Sequence, residues 1–404
     1  MKKLFCLIIL PPIYSVIIGV YKYLKNYKYW DFIIGFIGIL SCLVPMDDSI
    51  YTYKNFLYYK NLNIKEFIEL GLPLYFYIIY FFNKLGISFH QILILINFII
   101  LLIWCFIFKK VAKENQSIII LSVLMLNIRG LLDITRYTMA NVLFLLLYLT
   151  KLKRNKILKI ILLVMLVVKI HNAMLVPVIL FFFSIILRKI KLERYLIGML
   201  FFIIVLIKFF SMKILLGLQK ILSLYSIVLV QKINHYILNN AYKGVLQDNI
   251  NKGKLILLLL LIFISLIILL KNNFIKNKRI KFIKINLVLF LAILFLFIDN
   301  FVIFERYSYT YLSLFIIYLA LILKEKWYIG KTMIKIFILF ILMINIYNNA
   351  AYFRKFYIKK EAITLVKNYS GTENLIKVLY LPTAYLLIKD NFENEWFEKW
   401  RNNE

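Results

Sequence analysis

Apolar runs of roughly 17–20 residues recur along almost the whole chain, and each is long enough to cross a hydrocarbon core about 30 Å thick. No other feature constrains the fold as strongly. Lipid offers no hydrogen bonds, so a spanning backbone must satisfy its own polar groups within each segment or within a closed barrel. The runs are continuous rather than alternating, which argues for helices and against a barrel. The expected fold class is therefore all-α: a polytopic transmembrane helical bundle of about 12 spans. Spans are expected near 4–20, 30–46, 88–108, 117–132, 135–150, 157–170, 173–187, 195–215, 254–270, 285–300, 306–323 and 331–348. The stretch 73–86, from Pro73 to Gly86, is too short to span and is expected to be a re-entrant or interfacial helix. Residues 1–348 then form the transmembrane domain, and 349–404 form an external carboxy-terminal segment of mixed charge.

The net charge of +32 invites a nucleic-acid reading, but the bases do not form one patch. They sit in short bursts between apolar runs, the pattern of loops that obey the positive-inside rule. The loops 21–29, 109–116, 151–159, 188–194, 271–284 and 324–335 hold 25 lysines and arginines, so this side is expected to be cytoplasmic. Contacts with anionic lipid, not nucleic acid, follow. The long segments 47–87 and 216–253 fall on the external side. The amino terminus is ambiguous: twelve spans place Lys2 and Lys3 outside, whereas a break at Pro11-Pro12 would fold the first segment into a hairpin with both ends inside. No small-residue cleavage site follows the first apolar run, so an uncleaved first helix is expected. The three cysteines, Cys6, Cys42 and Cys105, lie in apolar segments with no metal or redox spacing.

The external helix ends collect the unusual residues. The chain has 42 lysines but nine arginines, and an arginine on the outer side runs against the topogenic bias. Its planar fork, suited to bidentate anion binding, is one reason to place it there. Arg129, Asp133 and Arg136 would share a face if their segment is helical, forming an anion site suited to phosphate; lipid-headgroup contact with an internal ion pair is the plainer alternative. Arg306, beside Glu305 and Tyr307, opens a later helix returning from outside, with Asp299 nearby. His171, in Lys169-Ile-His-Asn172, is a candidate proton carrier. Asp48, paired with Asp47, is a candidate base, because adjacent carboxylates raise each other's pKa. Each of these also has an ordinary structural reading as a helix-end ion pair, cap or solvated acid.

In order and spacing, these elements resemble the Wzy-type polysaccharide polymerases, in particular the EpsG-like branch. The matching features are Asp48-x-x-Tyr51, the Leu72-Pro-Leu-Tyr-Phe76 segment ending in Leu85-Gly-Ile-Ser88, Arg136-Tyr-x-x-Ala140, Lys169-Ile-His-Asn-Ala173 and Glu305-Arg-Tyr307. Two positions depart from the pattern: Met46-Asp47-Asp48 stands where Gly-Thr-Asp is usual, and Gly71-Leu72-Pro73 lacks an acid before the proline. The resemblance implies a GT-C-like bundle in the bacterial inner membrane that polymerises undecaprenyl-pyrophosphate-linked oligosaccharides. It implies no metal or other cofactor, and a chain-length regulator as a partner. Arg136, Arg129 and Arg306 would hold pyrophosphate. His171, Asp48 and Glu305 would be the candidates for the base, and Arg136, His171 and Arg306 are expected around one outward-opening pocket. A GT-C-type glycosyltransferase using a lipid-phosphate sugar, or a lipid-linked oligosaccharide flippase, are the alternatives. A flippase calls for cations midway along helices, and Lys208 is the one such residue read here.

Overall fold

The computed structural model describes residues 47–111, 135–149, 157–187, 249–271, 277–298 and 300–324, with isolated positions before 47 and at 343. Among the described residues all regular structure is helical. Two compact units divide the chain, one made of 1–175 with 349–404 and the other of 176–348.

The first unit opens with segment 47–87, expected as a long external loop. It is instead a helical hairpin: α1 (Asp47–Lys60), α2 (Ile64–Glu69) and α3 (Leu74–Lys84). Local chemistry explains it. Asn63 accepts from the Glu66 amide at 2.9 Å, and the Glu66 carboxylate accepts from the Asn63 amide at 2.8 Å, a capping box that starts α2. Pro73 stands at the N-cap of α3. At the other end Gly86 takes φ 76, and the Gly86 and Ile87 amides donate to the Asn83 and Phe82 carbonyls, closing α3 in a Schellman motif. The expected short helix at 73–86 is thus present with the boundaries its proline and glycine dictate. Three side chains tie α3 back to α1 and its following turn: Asn83 donates to the Phe56 carbonyl at 2.8 Å, Lys84 to that of Lys60 at 3.0 Å and Tyr80 to that of Leu62 at 3.2 Å. Between the arms, Phe67 stacks on Tyr80 with centroids 4.1 Å apart, and Tyr59 meets the Phe67 edge at 4.9 Å.

Ser88 and Gln91 then form a second capping box that begins α4 (Phe89–Val111). At 23 residues this helix is about 34 Å long. It packs on α5 (Thr135–Leu147), which packs on α6 (Ile157–Ile170); α3 also touches both α4 and α6. A 3-10 turn, Asn172–Met174, leads into α7 (Leu175–Leu187).

In the second unit, α8 (Asn249–Lys271) and α9 (Lys278–Leu296) both pack on α10 (Phe301–Lys324). Asn277 caps α9 through the Arg279 amide at 2.9 Å. Asn300 caps α10 through the Ile303 amide at 3.3 Å. The cap at Asn300 starts α10 earlier than the expected 306, so Glu305 and Arg306 lie one turn inside it. From Tyr307 to Ile322, α10 is buried on every side.

The exposed faces of several helices are apolar. On α6 they are Ile157, Leu158, Ile161, Leu162 and Met165, and on α8 Ile256, Leu260 and Phe263. In water such stripes would be a liability; against lipid they are the expected outer surface. Conversely, Ser308, Thr310 and Ser313 of α10 are buried, as intramembrane polar groups are when they face protein. Two described helices, Phe89–Val111 and Lys252–Leu270 within α8, are long and apolar enough to cross a membrane. The remaining expected spans either are shorter helices, such as α5 to α7 at 13 or 14 residues, carry charge or polar groups, as α9 and α10 do, or lie outside the described residues. This is a helical membrane protein.

Candidate functional site

Arg136 is the second residue of α5, partly exposed. Its guanidinium carbon stands 5.3 Å from the centroid of the Phe76 ring, contributed by α3. The next residue, Tyr137, is buried and meets the His171 imidazole edge to face, with centroids 5.3 Å apart and planes at 87°. The hairpin α1–α3, the start of α5 and the turn after α6 therefore converge, and the Arg-Tyr pair is what joins them.

His171 is buried at 8% exposure. Its backbone is extended, with φ −149 and ψ 112, and Nδ1 accepts from the Ala173 amide at 3.1 Å. The local sequence explains this placement, since α6 ends at Ile170 and the chain must restart with a cap for the following turn. The bond also assigns the ring's chemistry. With its Nδ1 lone pair engaged, a neutral imidazole carries its proton on Nε2 and presents a donor there. Serving as a base through Nδ1 requires breaking the cap.

Glu305 and Arg306 lie in the second unit. Glu305, 6% exposed, is ion-paired with Lys254 of α8, itself 2% exposed. The same carboxylate oxygen accepts from the Tyr309 hydroxyl at 3.1 Å, one turn along α10. The Lys254 nitrogen lies 5.9 Å from the Phe301 centroid and 5.8 Å from that of Tyr309. Arg306 is partly exposed beside this buried group. A little further along, Ser265 of α8 is hydrogen-bonded to Tyr311, and Asn286 of α9 donates to Ser184 of α7 at 2.5 Å, so polar links recur along the helices of this unit.

Asp47 and Asp48 occupy the first turn of α1. Arg129, Asp133 and Asp299 lie outside the described residues, as does segment 216–248. Among the described residues no three His, Cys, Asp or Glu side chains converge into a metal-holding group. The site residues the sequence reading missed are Phe76 and Lys254. Phe76 is one of 35 phenylalanines and carries no individual signal. Lys254 carried one: a lysine at an apolar run's end expected to face outside, against the charge bias.

A family model described as "EpsG family" matches residues 32–359. No curated protein and no solved structure matches.

Proposed function

From the premise that this chain belongs to the EpsG family, we propose that it is a multi-pass enzyme of the bacterial inner membrane that polymerises undecaprenyl-pyrophosphate-linked oligosaccharide repeat units at the outer face. The acceptor hydroxyl oxygen attacks the anomeric carbon of the donor chain. The bond from that carbon to the pyrophosphate oxygen breaks, its electron pair leaves with the pyrophosphate, and the acceptor proton passes to a base.

The observation that carries the reading is the convergence of Arg136, Tyr137 and His171 at one end of α5. A leaving pyrophosphate gains charge in the transition state, and a preorganised cation there is the largest single aid a protein can give. Arg136 has the planar fork for it, with Arg129 as a further candidate ligand. Among the base candidates, the His171 lone pair at Nδ1 is engaged in the cap and the Glu305 carboxylate in its ion pair. Asp48, with Asp47 beside it in the first turn of α1, is the remaining candidate base. His171 then serves as a hydrogen-bond donor to a sugar oxygen. A chain-length regulator is the expected partner, and O-antigen, capsule or exopolysaccharide the product class.

Deleting the gene and sizing the surface polysaccharide tests the reading. Loss of long chains with single repeat units retained is the expected result. Loss of both, with lipid-linked precursors held inside, would instead make the protein a flippase.

A further inference from the structure

We propose that Phe76 is a positioning residue for Arg136: its ring face holds the guanidinium at the outer end of α5, so that the helical hairpin α1–α3 determines where that charge stands. The inference rests on the reading of Arg136 as a pyrophosphate ligand and goes beyond it, because it gives segment 47–87 a task in the reaction.

The ring is well placed to serve as a platform. Phe76 is 5% exposed and sits near the start of α3. Its ring meets Tyr59 at 6.0 Å and 82° and Tyr75 at 5.7 Å and 81°, so it is braced by α1 and by its own helix. Tyr59 in turn packs on Phe67, which stacks on Tyr80. The arms cannot shear past one another without breaking the bonds from Asn83, Lys84 and Tyr80 to backbone carbonyls. The same helix rests on α4 and α6. Movement of the ring therefore means movement of the whole hairpin.

The guanidinium needs such a platform. Arginine reaches its ligand through four rotatable bonds, and a lost near-attack geometry is costly even at 1 Å. A π face attracts the cation and narrows its positions without cancelling its charge, as a carboxylate would. A merely apolar neighbour of the same size fills space but does not attract.

This difference gives the test. In full-length protein in its membrane, position 76 is filled with phenylalanine carrying zero to three ring fluorines, which drain the π face while scarcely altering shape. Turnover is measured on lipid-pyrophosphate-linked repeat units extracted from a polymerase-deleted host, with Arg136→Lys run alongside. We expect kcat to fall stepwise with each fluorine, to about three- to tenfold below the unfluorinated chain. KM should move less, membrane levels should be unchanged, Phe76→Tyr should keep activity and Phe76→Leu should not. A flat fluorine series with an impaired Arg136→Lys overturns the positioning role and leaves the reading of Arg136 intact. A fully active Arg136→Lys removes that reading and with it any reason to position the residue.

Discussion

Arg136 and Lys254 are both cations close to the start of a helix and near aromatic rings, and Lys254 meets a buried carboxylate as well. Arg136, partly exposed, stands over the face of Phe76. Lys254, buried, meets the carboxylate of Glu305. A ring steers a cation and leaves its charge in place, whereas a carboxylate cancels it. The first arrangement suits a group that must greet an arriving anion. The second suits a link between two helices, here α8 and α10, in surroundings that would not tolerate either charge alone. Within the pattern Glu-Arg-Tyr, Glu305 is held in the buried ion pair, and Arg306, one residue later, is partly exposed.

The largest effect should come from breaking the buried pair. Lys254→Met or Glu305→Leu alone strands a charge in the interior, at a cost of about 3–5 kcal/mol, and is expected to deplete folded protein in the membrane. The double variant removes both charges and should recover most of that loss. Thermal unfolding in detergent checks the stability, and polymer length checks the function. A double variant that folds yet makes no polymer would move Glu305 from the structural role to the chemical one and erase the contrast with Arg136.

Next in size is Arg136→Lys, which keeps the charge but loses the planar fork. Removing one preorganised donor from a charge-developing site costs on the order of a hundredfold in rate. We expect a loss of that order in polymerisation with normal membrane insertion. Wild-type polymer length would place Arg136 among lipid-headgroup contacts.

The helical class was legible because length and continuity of apolar runs bear on the backbone directly. The short helix at 73–86 was legible for a second reason, since Pro73 and Gly86 set its ends physically. Segment 47–87 as a whole was not read as helical, although Asn63-Ile-Lys-Glu66 is a capping box in the sequence. The surrounding charge and tyrosine hid it. For the candidate site, the rare residue types stood out against a lysine- and isoleucine-rich background, so Arg136 and His171 were singled out; Lys254 was passed over despite its place against the charge bias, and Phe76 carried no signal of its own. A side chain drawn from a common type becomes informative only when its partner is known, and partnership across many residues is a property of packing.

A smaller effect separates the two tasks of His171. His171→Asn keeps a side-chain oxygen that can cap the Ala173 amide but offers no ring donor at the Nε2 position. Its stability should stay within about 1 kcal/mol of the parent, while polymerisation falls. His171→Ala should lose stability as well. Melting temperatures and polymer yield measured on the same preparations separate the cases. Equal activity of His171→Asn and the parent would reduce the histidine to a cap, leaving Arg136 as the chemical member of its cluster.

The smallest effect concerns the hairpin that carries Phe76. Gly86 holds φ 76, and a Cβ built there meets nothing within 4 Å. Alanine at this position therefore pays only the left-handed backbone penalty, about 1–2 kcal/mol, with no clash added. Asparagine, which enters that region more readily, should cost less. If the hairpin positions Arg136, the loosened Schellman turn of Gly86→Ala should lower turnover modestly and in proportion to the lost stability, with Gly86→Asn falling between it and the parent. The same substitutions should leave the Lys254–Glu305 link untouched, since that pair lies in the other unit. Turnover that ignores both substitutions while the melting temperature drops would show that α1–α3 folds for its own sake and that the two cations differ in partner but not in dependence on this hairpin.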